Sequence, residues 1–560
     1  MAPLAAAADS DPGHGAGPTP VIVEYGSSST DAANLVGNMV APGLVRKSFD
    51  TIPGVELSLP AAAIAALQNA GAQVTPDEAV TFQSTTQATC PSGSTYSPPS
   101  GNFAADTGAN QLVAGGDQGQ GVTVAVLDTG ISGSLPDFTG RLVAGVDLSG
   151  AGSPYTDQYG HGTFVAGLIA GNGAASGGQY PGEAPGASLA SIKVAGSTGA
   201  TNVSTIVQGI DWAVKWASKY NIKVLNLSLG AMPTGPTATE PMDQAVEAAW
   251  NAGITVVVSA GNAGPFNGTI LTPGDDPLAI TVGAFADNDS TAPANWAACP
   301  FSSVGPTEYD GWMKPDLVAP GRSVISVLDP GSTIAQANPS AVVGSANFVG
   351  SGTSFSTAIT SGAAALVLAA HPGIAPNQVK GRLLGNAMPG ELGNPLVEGH
   401  GFLNAYYAAT GPSLVLNQSL AAAAESTNPP ATVDLGTVFT GSSWNGSSWN
   451  GSSWNGSSWN GSSWNGGAWN GSSWNGSSWN GSSWNGSSWN GSSWNGSSWN
   501  SSGWTGSSWN GSSWNNMAWD GSSWNGSSWN GSSWNGSSWN GSSWNGSSWN
   551  GSSWNGASWN

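Results

Sequence analysis

Between residues 110 and 410 the chain alternates short, apolar runs with longer stretches rich in small residues. The runs VTVAVL (122–127), SLASIKV (188–194), IKVLNL (222–227), ITVVVS (254–259) and LAITV (278–282) have strand length and predict β-strands. Helices fit between them at 162–171, 202–219 and 240–252. Strands that are apolar throughout, with helices between, imply a mostly parallel sheet covered on both faces, an α/β fold.

The flanking segments follow other patterns. Residues 1–18 hold mainly Ala, Gly, Pro and Asp and read as a flexible start. They resemble the small-residue end of a signal peptide but lack its basic start and apolar run, so the preferred reading is a remnant of a longer secretion signal. Residues 19–79 predict a small α+β unit, with strands at 20–25 (PVIVEY) and 54–59 (GVELSL) and helices at 30–37 and 60–70. Residues 80–108, rich in Ser, Thr, Gln and Pro, read as an exposed linker to the α/β region at 109–410, and 411–440 reads as a second linker.

Residues 441–560 are twenty-four pentapeptides, mostly GSSWN, each with one Trp. In a flat strand a five-residue period sends successive Trp side chains to alternate faces, and Asn-Gly at most junctions signals turns. Three readings stay open: an unstructured polar tail, a segment whose Trp rings stack on cell-wall polysaccharide with avidity from many weak sites, and a stacked β structure. A square solenoid with a Trp on every side would overfill a narrow interior.

The charge narrows the partners. With 11 Lys and Arg against 32 Asp and Glu, the net charge is −21. Nucleic-acid binding needs clustered cations and is disfavoured. No apolar run of about 18 residues predicts a membrane span. Whether the two cysteines, Cys90 and Cys299, pair is left open by the sequence.

Four motifs carry chemistry. VAVLDTGI puts Asp128 directly after a buried strand, where parallel sheets open their ligand crevice. YGHGTFVAGLIAG puts His161 at the start of a small-residue helix. GSGTSFSTAITSG puts Ser354 at another helix start, near unpaired N–H groups and the positive end of the dipole. VVVSAGNAG delivers Asn262, a possible oxyanion donor, from a strand into glycines. Each has a plainer use as a turn cap, a buried histidine, an N-cap or a turn asparagine.

Together the four are far more specific. Asp–His–Ser is one of the chain orders known for a catalytic triad. With GEAPGASLASIKV, VLNLSLG, KPDLVAPG and GHGFLNA, they make residues 110–410 resemble the subtilase (subtilisin-like) serine proteases. The resemblance implies a serine endopeptidase in which Ser354 attacks the scissile carbonyl, His161 relays its proton and Asp128 orients His161. Asn262 and the Ser354 N–H would form the oxyanion hole. Ser228, Leu229 and Gly230 would wall one side of the primary specificity pocket, and Ala260 and Gly261 the other.

By the same resemblance, residues 19–79 are a propeptide that assists folding and then blocks the cleft. The enzyme would be a zymogen cut within 80–108 and secreted, with no cofactor needed for its chemistry. Structural calcium is common in the family, and Asp157 and GDDP (274–277) are possible donors, but no metal site is assigned. Two positions depart from the family pattern. Phe164 stands where a second His is usual. Ala358, followed by Ile359, stands in place of a helix Pro. The sequon Asn226-Leu227-Ser228 falls in the substrate strand, where a glycan would block the cleft. Two other functions compete: a scaffold on which the protease fold only presents the tail, which the complete triad disfavours, and a processing protease dedicated to one partner.

Overall fold

The structure is a computed structural model, describing residues 18–24, 45–82, 103–412 except 289, 291 and 391, and strands between 443 and 559. The expected helix at 30–37 and the start at 1–17 lie outside the described residues.

The N-terminal unit is an antiparallel sheet with one described helix. Strands β1 (Thr19–Glu24), β2 (Val45–Ser48) and β3 (Gly54–Leu59) are followed by helix α1 (Ala61–Asn69) and strand β4 (Gln73–Pro76), in sheet order β2-β3-β1-β4. Val21, Val23, Val55, Leu57, Leu59 and Leu67 are buried in a core of their own. Beyond this sheet runs a short strand, β5 (Ala79–Thr81). Residues 80–108 were expected to be an exposed linker, but Val80 and Phe82 are buried and Phe103–Asp106 is a turn of helix with Phe103 buried.

The larger unit has the expected α/β architecture. Strand β6 (Thr123–Asp128) is buried at every residue. After it come β7 (Leu142–Asp147), helix α2 (His161–Ala170), β8 (Ser188–Lys193), β9 (Ala200–Asn202), helix α3 (Val203–Tyr220) and β10 (Ile222–Leu227). Helix α4 (Pro241–Asn251), β11 (Thr255–Ser259), β12 (Ile280–Ala286), β13 (Ala297–Ala298), β14 (Leu317–Pro320) and helix α5 (Thr353–Ala370) complete it. The order is β13-β12-β11-β10-β6-β8-β7, with β14 beside β12, and only the β12–β13 pairing is antiparallel. The central β6 has a later strand on each side, so the chain's winding reverses there and opens a crevice at the carboxyl ends of β6 and β10. Helices α2 and α5 pack on each other and on the sheet, as do α3 and α4.

Helix α5 is long and apolar enough to cross a bilayer by composition, which a search for one unbroken apolar run overlooks. It is 89% buried, and its small residues let it serve as the central core helix. Cys299 is buried and disulfide-bonded, and Cys90, outside the described residues, is the only other cysteine in the chain.

Within the repeats the described strands form a seven-stranded parallel sheet, taken in chain order. Trp529 aligns with Trp544, and Ser533 with Ser548. Most registers advance by fifteen residues, three repeats at a time, so like faces like.

Candidate active site

Strand β6 delivers Asp128 into the crevice, fully buried, where Oδ1 accepts from the Thr129 N–H at 2.8 Å. His161 opens helix α2 directly opposite. Its Nδ1 lies 2.8 and 3.0 Å from the two Asp128 oxygens. The start of α2 presses close to the loop after β6: a Cβ on Gly162 would lie 2.2 Å from the Gly130 carbonyl oxygen, so only glycine fits. Asp157 fixes this junction. It accepts from the Thr129 hydroxyl and from the N–H groups of Gly160 and Thr163, each at 2.8 Å. Burial pushes its carboxyl up and these donors pull it back.

Buried Lys193 Nζ donates to the carbonyls of Thr129 and Thr156 and to Gln158 Oε1, tying the same loops together. The His161 ring is held between Phe82 and Phe355, with centroids 5.4 and 5.7 Å away. Phe164 packs against Phe348 and Phe355, so this side of the site is apolar where the family pattern has a second His.

Ser354 is the second residue of α5. Its hydroxyl donates to the Ser228 carbonyl at 3.2 Å, while the Ser228 hydroxyl donates to the Ser354 carbonyl at 2.8 Å. The clasp continues inward. Asn226 Nδ2 donates to Ser228 Oγ, and the Ser361 hydroxyl donates to Asn226 Oδ1, both at 2.9 Å. Asn226 is fully buried, so the sequon is closed to a glycan. His161 Nε2 is buried without a hydrogen-bond partner among the described residues, and is the ring atom left to receive a proton.

Asn262 leaves the end of β11 and reaches the start of α5. The N–H and the hydroxyl of Thr353 both donate to its Oδ1, at 3.0 Å each. A backbone N–H can only donate, which fixes the amide orientation and leaves Nδ2 as the free donor beside the helix N-terminus.

A cleft of about 320 Å³ runs from Ser354 between Ser228–Gly230 and Gly261–Asn262. Ala79, Val80 and Thr81 of the N-terminal unit line the same cleft. There β5 pairs antiparallel with β9, Ala79 facing Asn202 and Thr81 facing Ala200. Phe82 continues the strand, donating to the Gly199 carbonyl while its own carbonyl accepts from Tyr159. The contacts are mainly backbone to backbone, the manner in which a sheet edge reads an extended peptide.

The structure therefore lines one cleft with Ser228, Leu229, Gly230, Gly261, Asn262 and Ser354, with Ala260 buried next to Gly261. The Asp128–His161 pair adjoins it, the His161 ring lying 5.7 Å from Phe355, the residue after Ser354. Thr353, Tyr159 and strand β9 support the site and were not singled out in the sequence, since no motif marks a residue that acts by holding another, and Asp157, read there only as a possible calcium donor, holds the junction of Thr129, Gly160 and Thr163. Among the described residues no group of three or more His, Cys, Asp or Glu is set to hold a metal ion. Asp157 spends both oxygens on protein donors, and Asp276 Oδ1 caps the N–H groups of Leu278 and Ala279.

The model of the Subtilase family matches residues 119–414. Serine protease AprX of Bacillus subtilis is 39% identical over 314 residues, covering 54% of this chain and 70% of that protein. Subtilisin DY of Bacillus licheniformis is 35% identical over 303 residues, 54% of this chain and 95% of the relative. Extracellular serine proteinase of a Thermus strain is 35% identical over 278 residues, 49% of this chain and 57% of its own length. Among solved structures, fervidolysin from Fervidobacterium pennivorans, a keratinolytic enzyme related to subtilisin, aligns with a TM-score of 0.56 at 22% identity. That alignment covers 71% of this chain and 61% of fervidolysin, and it speaks for the fold.

Proposed function

The chain belongs to the subtilase family and is a serine-type endopeptidase, and on that premise we propose that Asp128, His161 and Ser354 are its catalytic triad. Ser354 Oγ attacks the scissile carbonyl as His161 Nε2 takes its proton. Asp128 holds the Nδ1 tautomer and stabilises the imidazolium. Asn262 Nδ2 and the Ser354 N–H receive the oxyanion at the helix N-terminus. The acyl-enzyme forms, and His161 returns the proton to the leaving amine. The observation that carries this reading is the buried Asp128–His161 pair, its ring 5.7 Å from Phe355 at the start of the helix that bears Ser354. A serine-directed inactivator is expected to label Ser354 one-to-one and stop casein hydrolysis. Matured protein that takes no label and cleaves nothing would overturn the assignment.

The N-terminal unit acts as an intramolecular inhibitor, supported by β5 lying in the cleft with Phe82 against His161. Its grip depends on pH. Glu24 is buried at the contact, where it accepts from Gln73 at 3.0 Å and Gln244 at 3.1 Å. Its carboxyl is pushed up to about 7, first by burial, with Gln244 opposing and nearby Glu240 adding to the rise. Asp77, Glu78 and Asp211 at the same contact are also raised, mainly by burial.

A carboxyl raised in the docked state favours docking at low pH. That gain is lost as pH climbs from the ordinary glutamate range through about 7. Cut enzyme should therefore retain the unit at pH 5 and release it at pH 8, as read by gel filtration. Glu24→Gln should flatten the difference, and equal retention at both pH values would refute the idea.

We place the enzyme outside the cell, in keeping with the Thermus relative named as extracellular. The repeats serve to retain it on cell-wall polysaccharide, a role supported by one Trp in every pentapeptide.

A further inference from the structure

The two walls of the primary pocket are flat because each contributes a glycine, Gly230 and Gly261. A flat slot of this kind suits a planar side chain, but its inner end is occupied. A Cβ on Gly230 would lie 2.8 Å from Leu271 Cβ and 3.1 Å from its Cδ1. A Cβ on Gly261 would lie 2.6 Å from Leu271 Cγ and 2.8 Å from the same Cδ1. One methyl group therefore spans the gap between the walls. Leu271 also lines the cleft that contains Ser354.

This stopper is fixed in place. The Leu271 N–H donates to the Ala260 carbonyl on one wall at 3.1 Å. Its neighbour Thr272 exchanges two backbone hydrogen bonds with Ala231 beside the other wall, at 2.9 and 3.0 Å. The Thr272 hydroxyl is anchored beneath the floor on buried Asp243, at 3.1 Å. The segment is stitched to both walls and cannot drop away to admit a larger group.

We propose that Leu271 is a specificity-determining residue that makes the primary pocket shallow and restricts the residue on the acyl side of the scissile bond to small side chains. Alanine and serine fit above the isobutyl group, whereas phenylalanine and leucine collide with it. The inference rests on the protease assignment above and adds a substrate class to it.

The test uses the full matured enzyme and tetrapeptide nitroanilides that differ only in the residue before the nitroanilide: Ala, Ser, Leu or Phe. The wild type is expected to show kcat/KM for Ala at least about ten-fold above that for Phe, the scale on which pocket fit discriminates apolar groups. Leu271→Gly should raise the Phe-to-Ala ratio at least about ten-fold, with Leu271→Ala intermediate. The ratio does not depend on how much of a variant folds, and Leu271→Ala keeps the test open if the glycine variant fails to fold. A wild type that prefers Phe, or a ratio unmoved by either substitution, would overturn the shallow pocket while leaving the protease intact. Failure to cleave any of the four, with no labelling of Ser354, would instead sink the triad assignment.

Discussion

Replacing Ser354 by alanine is expected to lower kcat for peptide hydrolysis on the order of a million-fold, the scale known for loss of the nucleophile or base in a subtilisin. The loss should not come from unfolding. The Ser354 hydroxyl contributes one 3.2 Å hydrogen bond to Ser228, and the reciprocal bond to the Ser354 carbonyl survives the change. The same variant should persist as an uncut precursor. In the wild type the cut is expected between Phe82 and Cys90. Phe82, at the carboxyl end of the strand lying in the cleft, packs against His161. A cut beyond Cys90 would leave the N-terminal unit attached if Cys90 is the partner in the Cys299 disulfide. Mass spectrometry of both proteins reads this out. A Ser354→Ala protein that matures and digests casein like its parent would remove Ser354 from the chemistry.

Asp128→Asn is expected to cost about ten-thousand-fold in kcat with little change in melting temperature. The asparagine oxygen can still accept from the Thr129 N–H, so the loop after β6 keeps its shape. Both Asp128 oxygens now face His161 Nδ1, which the carboxylate holds as the donor. If the amide turns its NH₂ toward the ring, Nδ1 becomes the acceptor and Nε2 carries the proton it should be taking. The buried site offers no solvent to restore the balance. Stopped assays with titrated active sites would measure the drop, and a loss below about ten-fold would show that orientation by Asp128 matters little.

Much of this was legible in the sequence because the core strands bury both faces. The run at 222–227 was placed to the residue, and those at 122–127, 188–194 and 254–259 within one. Among the strands missed, β14 (Leu317–Pro320) is also buried at every residue but is only four residues long, while others are of another kind. Leu142–Asp147 is only partly buried and lacks a continuous apolar run, and Ala200–Asn202 is three polar or small residues whose strand character comes from the peptide opposite. The N-terminal segment misled for a related reason. Residues 80–82 look like linker because their partners lie far away in sequence, on His161 and along the cleft. Asp128, His161, Ser354 and Asn262 stood out through the short motifs around them, whereas Leu271 has no motif. Its importance arises only when two glycine walls are folded around it.

The strand lying in the cleft also has a kinetic consequence. While β5 belongs to the same chain as Ser354, its effective concentration at the site is fixed by the covalent connection and is independent of how many molecules surround it. A first cut made by the enzyme on itself would then be unimolecular, proceeding at one rate in crowded or sparse conditions. Once the connection is severed the occupant becomes a separate solute that can be diluted away. An enzyme held in a confined volume would stay self-inhibited, and the same enzyme released into open medium would switch on by dilution alone.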